Sequence, residues 1–216
     1  MHLAQVHVRG EDFVGLLGFA SDEYALLAPD FPKTKVLSVP EIRTTVYGTN
    51  LVGLFCAGNS NGILLPYFTS DLELDRIKKL TKKLDLNLGV LADRHTAVGN
   101  LVAANDRAAI VSPLIEDTRV IEDVLGVEAL VGTVGGHNEV GAVLLATNKG
   151  FVVCPDAEKE LSELEKLLGV KGLCGTINYG FQFLKSGLIA NSHGFITGRR
   201  TSGIELGRID DALGFV

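Results

Sequence analysis

The sequence predicts an α/β fold, a five-bladed, propeller-like ring with helices outside and small sheets around a central axis. Three observations lead there. A glycine-led apolar motif recurs five times, most copies are followed by a capped amphipathic segment, and the two chain ends are complementary. The copies are VGLLGFASDEYALLAP from Val14, VGLFCAGNSNGILLP from Val52, VGNLVAANDRAAIVSP from Val98, VGAVLLATNKGFVVCP from Val140 and SGLIANSHGFITG from Ser186. Their first glycines, Gly15, Gly53, Gly99, Gly141 and Gly187, are spaced 38 to 46 residues apart. A mean period of about 43 suits one supersecondary unit. Four copies close on proline: Pro29, Pro66, Pro113 and Pro155.

Each copy reads as strand, turn, strand. Apolar runs break at Ser21-Asp22, Asn59 to Gly62, Asn105-Asp106, Asn148 to Gly150 and Asn191 to Gly194, then resume. Asn and Gly tolerate the positive φ of short hairpins. Nearly continuous runs, rather than alternating ones, suggest strands buried on both faces.

A helix follows in four copies. Ser70 to Glu73 is a capping box, with Leu74, Ile77, Leu80 and Leu84 on one side. The second helix spans Glu116 to Leu125, with Val120, Ile121, Val124 and Leu125 as its apolar edge. Asp156 caps the third, whose stripe is Leu161, Leu164, Leu167 and Leu168. Ser202 to Glu205 opens the last, with Leu206, Ile209 and Leu213 facing inward. Gly126 and Gly169 follow two of these helices as C-cap glycines. In the first copy, Pro29, Pro32 and Pro40 leave little room for a helix.

Connecting strands are expected at TTVYG from Thr44, LGVLA from Leu88, ALVGTVGG from Ala129 and GLCGTINYG from Gly172. QVHVRG from Gln5 has the same character but no helix before it, and the last helix has no strand after it. Joining the two ends closes the ring. The expected repeats are approximately 5–42, 43–87, 88–127, 128–171 and 172–216, all within one domain.

Composition narrows the function. With 46% hydrophobic and 21% charged residues, the chain is a folded protein. A net charge of −6 argues against general DNA or RNA binding. Cys56, Cys154 and Cys174 form no disulfide framework and fit a reducing, cytoplasmic setting. No signal peptide or membrane-length apolar run is present. His2, His7, His95, His137 and His193 show no metal-ligand spacing, so neither metal nor cofactor is expected. VGTVGGHNEVG lacks the lysine of a phosphate loop.

The segments VYGTNLVGLFCAGNSNGILLP, AVGNLVAANDRAAIVSP, LLATNKGFVVCP and LCGTINYG resemble the translation initiation factor 6 family of archaea and eukaryotes. The resemblance covers all five repeats and implies the pentein fold. The chain ends soon after its last helix, without the tail of eukaryotic members, which resembles the archaeal form. The family resemblance further implies a non-catalytic factor, and a monomer is expected. It would bind the large ribosomal subunit, mainly on ribosomal protein near the sarcin–ricin loop, and block small-subunit joining. The family's Gly-Asn-Val-x-x-x-Asn-Asp pattern matches Gly99, Asn100, Leu101, Asn105 and Asp106, which places Asn105 and Asp106 on the ribosome-contacting side. By position, Asn59, Asn148 and Asn191 are expected to project with Asn105 around the same rim, although asparagine is also simply a good turn former.

Two further readings stand beside this one. Pentein relatives include guanidine-modifying enzymes with a cysteine nucleophile near the carboxyl terminus, but no cysteine follows Cys174 here. Cys56, Cys154 and Cys174 are expected to be inert. Arg76, Lys78, Lys79, Lys82 and Lys83 crowd one helix. Such a run is usually a solvated face, and it is also this chain's best site for touching ribosomal RNA, with Arg199 and Arg200 a lesser one.

Overall fold

The computed structural model describes residues 2–216. Strand β1 (Leu3–Val6) opens the chain. The first sheet contains β2 (Gly18–Ala20), β3 (Ala25–Leu27) and β4 (Glu41–Arg43). The second contains β5 (Ala57–Asn59), β6 (Gly62–Pro66) and β7 (Asn87–Leu91). The third is β8 (Val102–Ala104), β9 (Ala108–Val111) and β10 (Glu128–Val131), and the fourth β11 (Leu144–Ala146), β12 (Phe151–Val153) and β13 (Gly172–Cys174). The fifth is β14 (Leu188–Asn191) and β15 (Gly194–Gly198), completed by β1.

Every sheet has the same plan, an antiparallel hairpin whose second strand also pairs in parallel with a third. The middle strands β3, β6, β9, β12 and β15 are buried at every position. Their unbroken apolar runs reflect burial on both faces. In the fifth sheet the third strand comes from the other end of the chain: β1 pairs with β15 from Leu3–Phe195 to Val6–Gly198. His2 Nε2 lies 2.5 Å from Asp210 Oδ1, and its ring stacks on Phe215, so the termini meet.

The residues before each hairpin differ from expectation. VGLL at Val14–Leu17, VGLF at Val52–Phe55, VGNL at Val98–Leu101, VGAV at Val140–Val143 and LKSG at Leu184–Gly187 each form one helical turn, not strand. These five inner turns touch one another in cyclic order, the fifth returning to the first. A β-carbon on Gly53 would overlap the carbonyl of Gly15, and one on Gly99 the carbonyl of Gly53. Glycine is needed there because successive backbones approach too closely for a side chain.

The longer helices are α1 (Asp71–Thr81), α2 (Arg119–Leu125), α3 (Leu161–Leu168) and α4 (Gly203–Ala212). Helix α2 starts three residues later than predicted, where the Asp117 carboxylate accepts the Arg119 amide at 3.0 Å. Asp156 does not cap α3. It lies in a 3-10 turn, Pro155–Glu160, that precedes the helix. Gly126 and Gly169 end α2 and α3 in the left-handed region, at φ 64° and 65°. The first repeat has no helix between its prolines, and its strand is Glu41–Arg43 rather than TTVYG.

Candidate functional site

Aligning the inner turns corrects the repeat register at one place. Gly15, Gly53, Gly99 and Gly141 occupy the second position of their turns, but in the fifth turn that position is Lys185, not Gly187. Its Nζ donates to the Gly99 carbonyl at 2.7 Å. The side chain lines an axial cavity of about 40 Å³ bordered by Phe19, Ala57, Ala103 and Leu145. Burial pulls the Lys185 ammonium down to about 8, partly opposed by neighbouring Cys56.

The hairpin turns line the mouth of a second, smaller cavity. Position seven after each repeat's first apolar residue is Ser21, Asn59, Asn105, Thr147 or Asn191, so Asn148 lies one residue out of register with the other asparagines. Asn59, Asn105 and Asn191 are 2%, 3% and 1% exposed, which corrects the expectation that they project. Each clasps the next repeat. Asn59 Nδ2 donates to the carbonyls of Asn105 and Leu125, and Asn105 Nδ2 to those of Thr147 and Leu168. Asn191 Nδ2 donates to Ser21 and Leu37. Leu125 and Leu168 are the last residues of α2 and α3, so two clasps satisfy otherwise orphaned helix-end carbonyls. Their Oδ1 atoms accept from amides within their own turns. Where the first repeat lacks asparagine, the Tyr24 hydroxyl reaches the Gly62 carbonyl at 2.9 Å instead.

The residues one position later form a polar collar around the same mouth. Asn148 Nδ2 donates to Asp106 Oδ2 at 2.5 Å and to Asp22 Oδ2 at 2.8 Å. Asp106 also accepts the Ser60 amide, and Asp22 accepts the amide and hydroxyl of Ser192. Of the sequence-predicted set, Asp106 and Asn148 face this partly exposed collar, whereas Asn59, Asn105 and Asn191 hold it from beneath.

The tight loops preceding the inner turns were not singled out in the sequence as a site. Val8–Glu11, Val46–Thr49, Val134–His137 and Ile177–Phe181 each close through an antiparallel bridge. Tyr47 and Tyr179 sit at their tips with φ 51° and 66°, and both are largely exposed. Carboxylates hold these loops: Glu73 accepts Thr45 Oγ1 and the amides of Tyr47 and Gly48, and also the Ser70 amide of its own capping box. Glu205 does the same for Thr176, Tyr179, Gly180 and Ser202. Burial alone would raise the Glu73 carboxyl, but bonds from Thr45, Gly48, Ser70 and Tyr47 bring it down to about 2. Glu205 is lowered for the same reasons. Tyr47, Phe55 and Tyr67 all pack edge-on against Phe68, leaving Tyr47 and Tyr67 half or more exposed.

All three thiols are pushed up, in each case chiefly by burial: Cys56, Cys154 and Cys174. At Cys154 the nearby Ala157 amide pulls part of the way back. Arg76, Lys78, Lys79, Lys82 and Lys83 are exposed along one side of α1 and beyond its end. Among the described residues, no helix is long and apolar enough to cross a membrane.

Residues 3–212 match the eIF-6 family. The chain belongs to that family. Its relatives include three archaeal proteins named translation initiation factor 6. The Thermococcus onnurineus protein is 37% identical, with all of both chains covered. That of Methanosarcina mazei is 38% identical over 98% of each chain, and that of Pyrococcus horikoshii 34% identical over all of both. Membership in eIF-6 spans every repeat described above, including the inner turns and both sets of loops.

Proposed function

We propose that this eIF-6 family member is a translation factor of the cytoplasm that binds the large ribosomal subunit and sterically prevents its joining to the small one. The observation that carries the reading is the end-to-end match to proteins named translation initiation factor 6. We read the cyclic set of five three-stranded sheets as a single pentein propeller. Its cross-repeat clasps favour a preorganised surface, which loses little entropy on docking. The collar of Asp106 and Asn148 is our contact surface for ribosomal protein, with Asn59, Asn105 and Asn191 supporting its shape. The lysine-rich side of α1 is the part suited to ribosomal RNA phosphate.

The guanidine-modifying alternative finds less support. It requires an activated thiolate, and all three thiols here are shifted toward the protonated form. Sedimentation with purified ribosomal subunits tests the proposal: the protein should co-migrate with the large subunit and suppress subunit joining. Migration with the small subunit alone, or with neither, would overturn it.

A further inference from the structure

In the fourth repeat a histidine, a cysteine and an aspartate come together from two segments of the chain. His137 ends the Val134–His137 loop, Cys154 follows β12, and Asp156 is the second residue of the 3-10 segment after it. One ligand atom from each lies within 4.8 Å of the others, and His137 Nε2 is 3.1 Å from Asp156 Oδ2. Ligands of a tetrahedral zinc ion at about 2.0–2.3 Å stand roughly 3.3–3.7 Å apart. Closing the trio onto one ion therefore requires movements of about 1 Å or a little more. The Asp156 side chain, 49% exposed, has room to make that movement, while the His137 ring is held edge-on against Phe183.

We propose that His137, Cys154 and Asp156 form a binding site for a single zinc-class divalent ion, with a solvent molecule as fourth ligand. The donor set of one imidazole, one thiolate and one carboxylate suits zinc and disfavours magnesium and calcium, which prefer all-oxygen shells. Binding converts the Cys154 thiol to thiolate and releases its proton to solvent. The buried sulfur forms the floor of the site, the imidazole and carboxylate its two walls, and the exposed side of Asp156 the entrance.

Comparison among the repeats shows what the ion would do. The equivalent loops at Val46–Thr49 and Ile177–Phe181 are each tied by a glutamate that accepts a threonine hydroxyl and two loop amides. In the fourth repeat Glu160 accepts only the Gly135 amide among the described residues. The Gly135–Gly136 loop is thus held by fewer bonds from its glutamate than the two tyrosine-tipped loops, and it carries the trio. An ion there would bind this loop to the end of β12.

The test is titration of chelator-stripped protein with zinc and with cobalt as spectroscopic probe. We expect one equivalent to bind, a near-ultraviolet thiolate-to-cobalt band, and a Tm increase of about 5–10 °C at a hundredfold excess over Kd. Cys154→Ser and His137→Ala should each abolish the cobalt band, while Cys174→Ser and Cys56→Ser keep it. His137→Ala loses only a half-exposed pair with Asp156 and an edge contact to Phe183, so its metal-free protein should still melt cooperatively within a few degrees of the parent, which separates loss of the site from loss of the fold. Failure to bind at micromolar zinc, a band that survives Cys154→Ser, or equal stabilisation by magnesium would overturn the proposal.

Discussion

Lys185 Nζ donates a 2.7 Å hydrogen bond to the carbonyl of Gly99, linking the fifth inner turn to the third across the axis. One cation thus stands where four repeats have only a glycine. An ammonium has three donors, and desolvating it is costly unless they are met.

Replacing Lys185 with methionine keeps the chain length and removes the charge. The folded-state pKa of about 8 lies below the ordinary 10.5, so the unfolded state binds more protons between these values. The penalty is complete below about pH 8 and disappears as pH rises toward 10.5. Lys185→Met should therefore be more stable than the parent at pH 7, by about 1–3 kcal/mol after loss of the Gly99 bond. Denaturant melts of both proteins at pH 7 and pH 10 check this, and the gap should narrow at the higher pH.

Asn105→Ala deletes a buried clasp and leaves the carbonyls of Thr147 and Leu168 without their donor. A loss of about 2–3 kcal/mol is expected, visible as a lower urea midpoint. Asn148→Ala, at the exposed collar, should cost less than half as much. Under the proposed function, Asn105→Ala weakens large-subunit binding through altered collar shape, so binding and stability fall together.

Glu73→Gln tests the loop tie. With its folded-state pKa near 2 against an ordinary 4.5, Glu73 contributes stability above about pH 4.5 and loses it as pH falls toward 2. The variant should be less stable by about 1–2 kcal/mol at pH 7. Thermal melts across pH should show the difference shrinking below pH 4.5.

Gly53→Ala places a methyl group on the Gly15 carbonyl and should cost about 3 kcal/mol or more. Gly207→Ala, on the open face of α4 where nothing lies within 4 Å, should stabilise by about 0.5–1 kcal/mol. Paired calorimetry of the two variants separates backbone crowding from helix propensity.

The repeat count, hairpin turns and α1 and α4 caps were legible because each depends on short-range chemistry: glycine, asparagine and capping boxes at fixed spacing. The inner turns were not. A four-residue apolar run such as VGLF carries no period that separates one helical turn from a strand, and only packing around the axis decides. Lys185 was hidden by the nearby Gly187, which satisfied the motif two residues late. The asparagines were recognised as turn residues, but their Nδ2 atoms bond to the next repeat, and that partner lies more than 40 residues away. The grouping of His137 with Cys154 and Asp156 escaped because these segments meet only after β11 and β12 fold back.

The parallel pairing of β1 with β15 has a consequence for biosynthesis. As the polypeptide leaves its own ribosome, β1 emerges long before the β14–β15 hairpin with which it pairs. The fifth sheet is therefore completed only after the β14–β15 hairpin has emerged, and a product cut short before that hairpin exposes an unpaired edge to proteases. Contacts this remote along the chain also slow spontaneous renaturation.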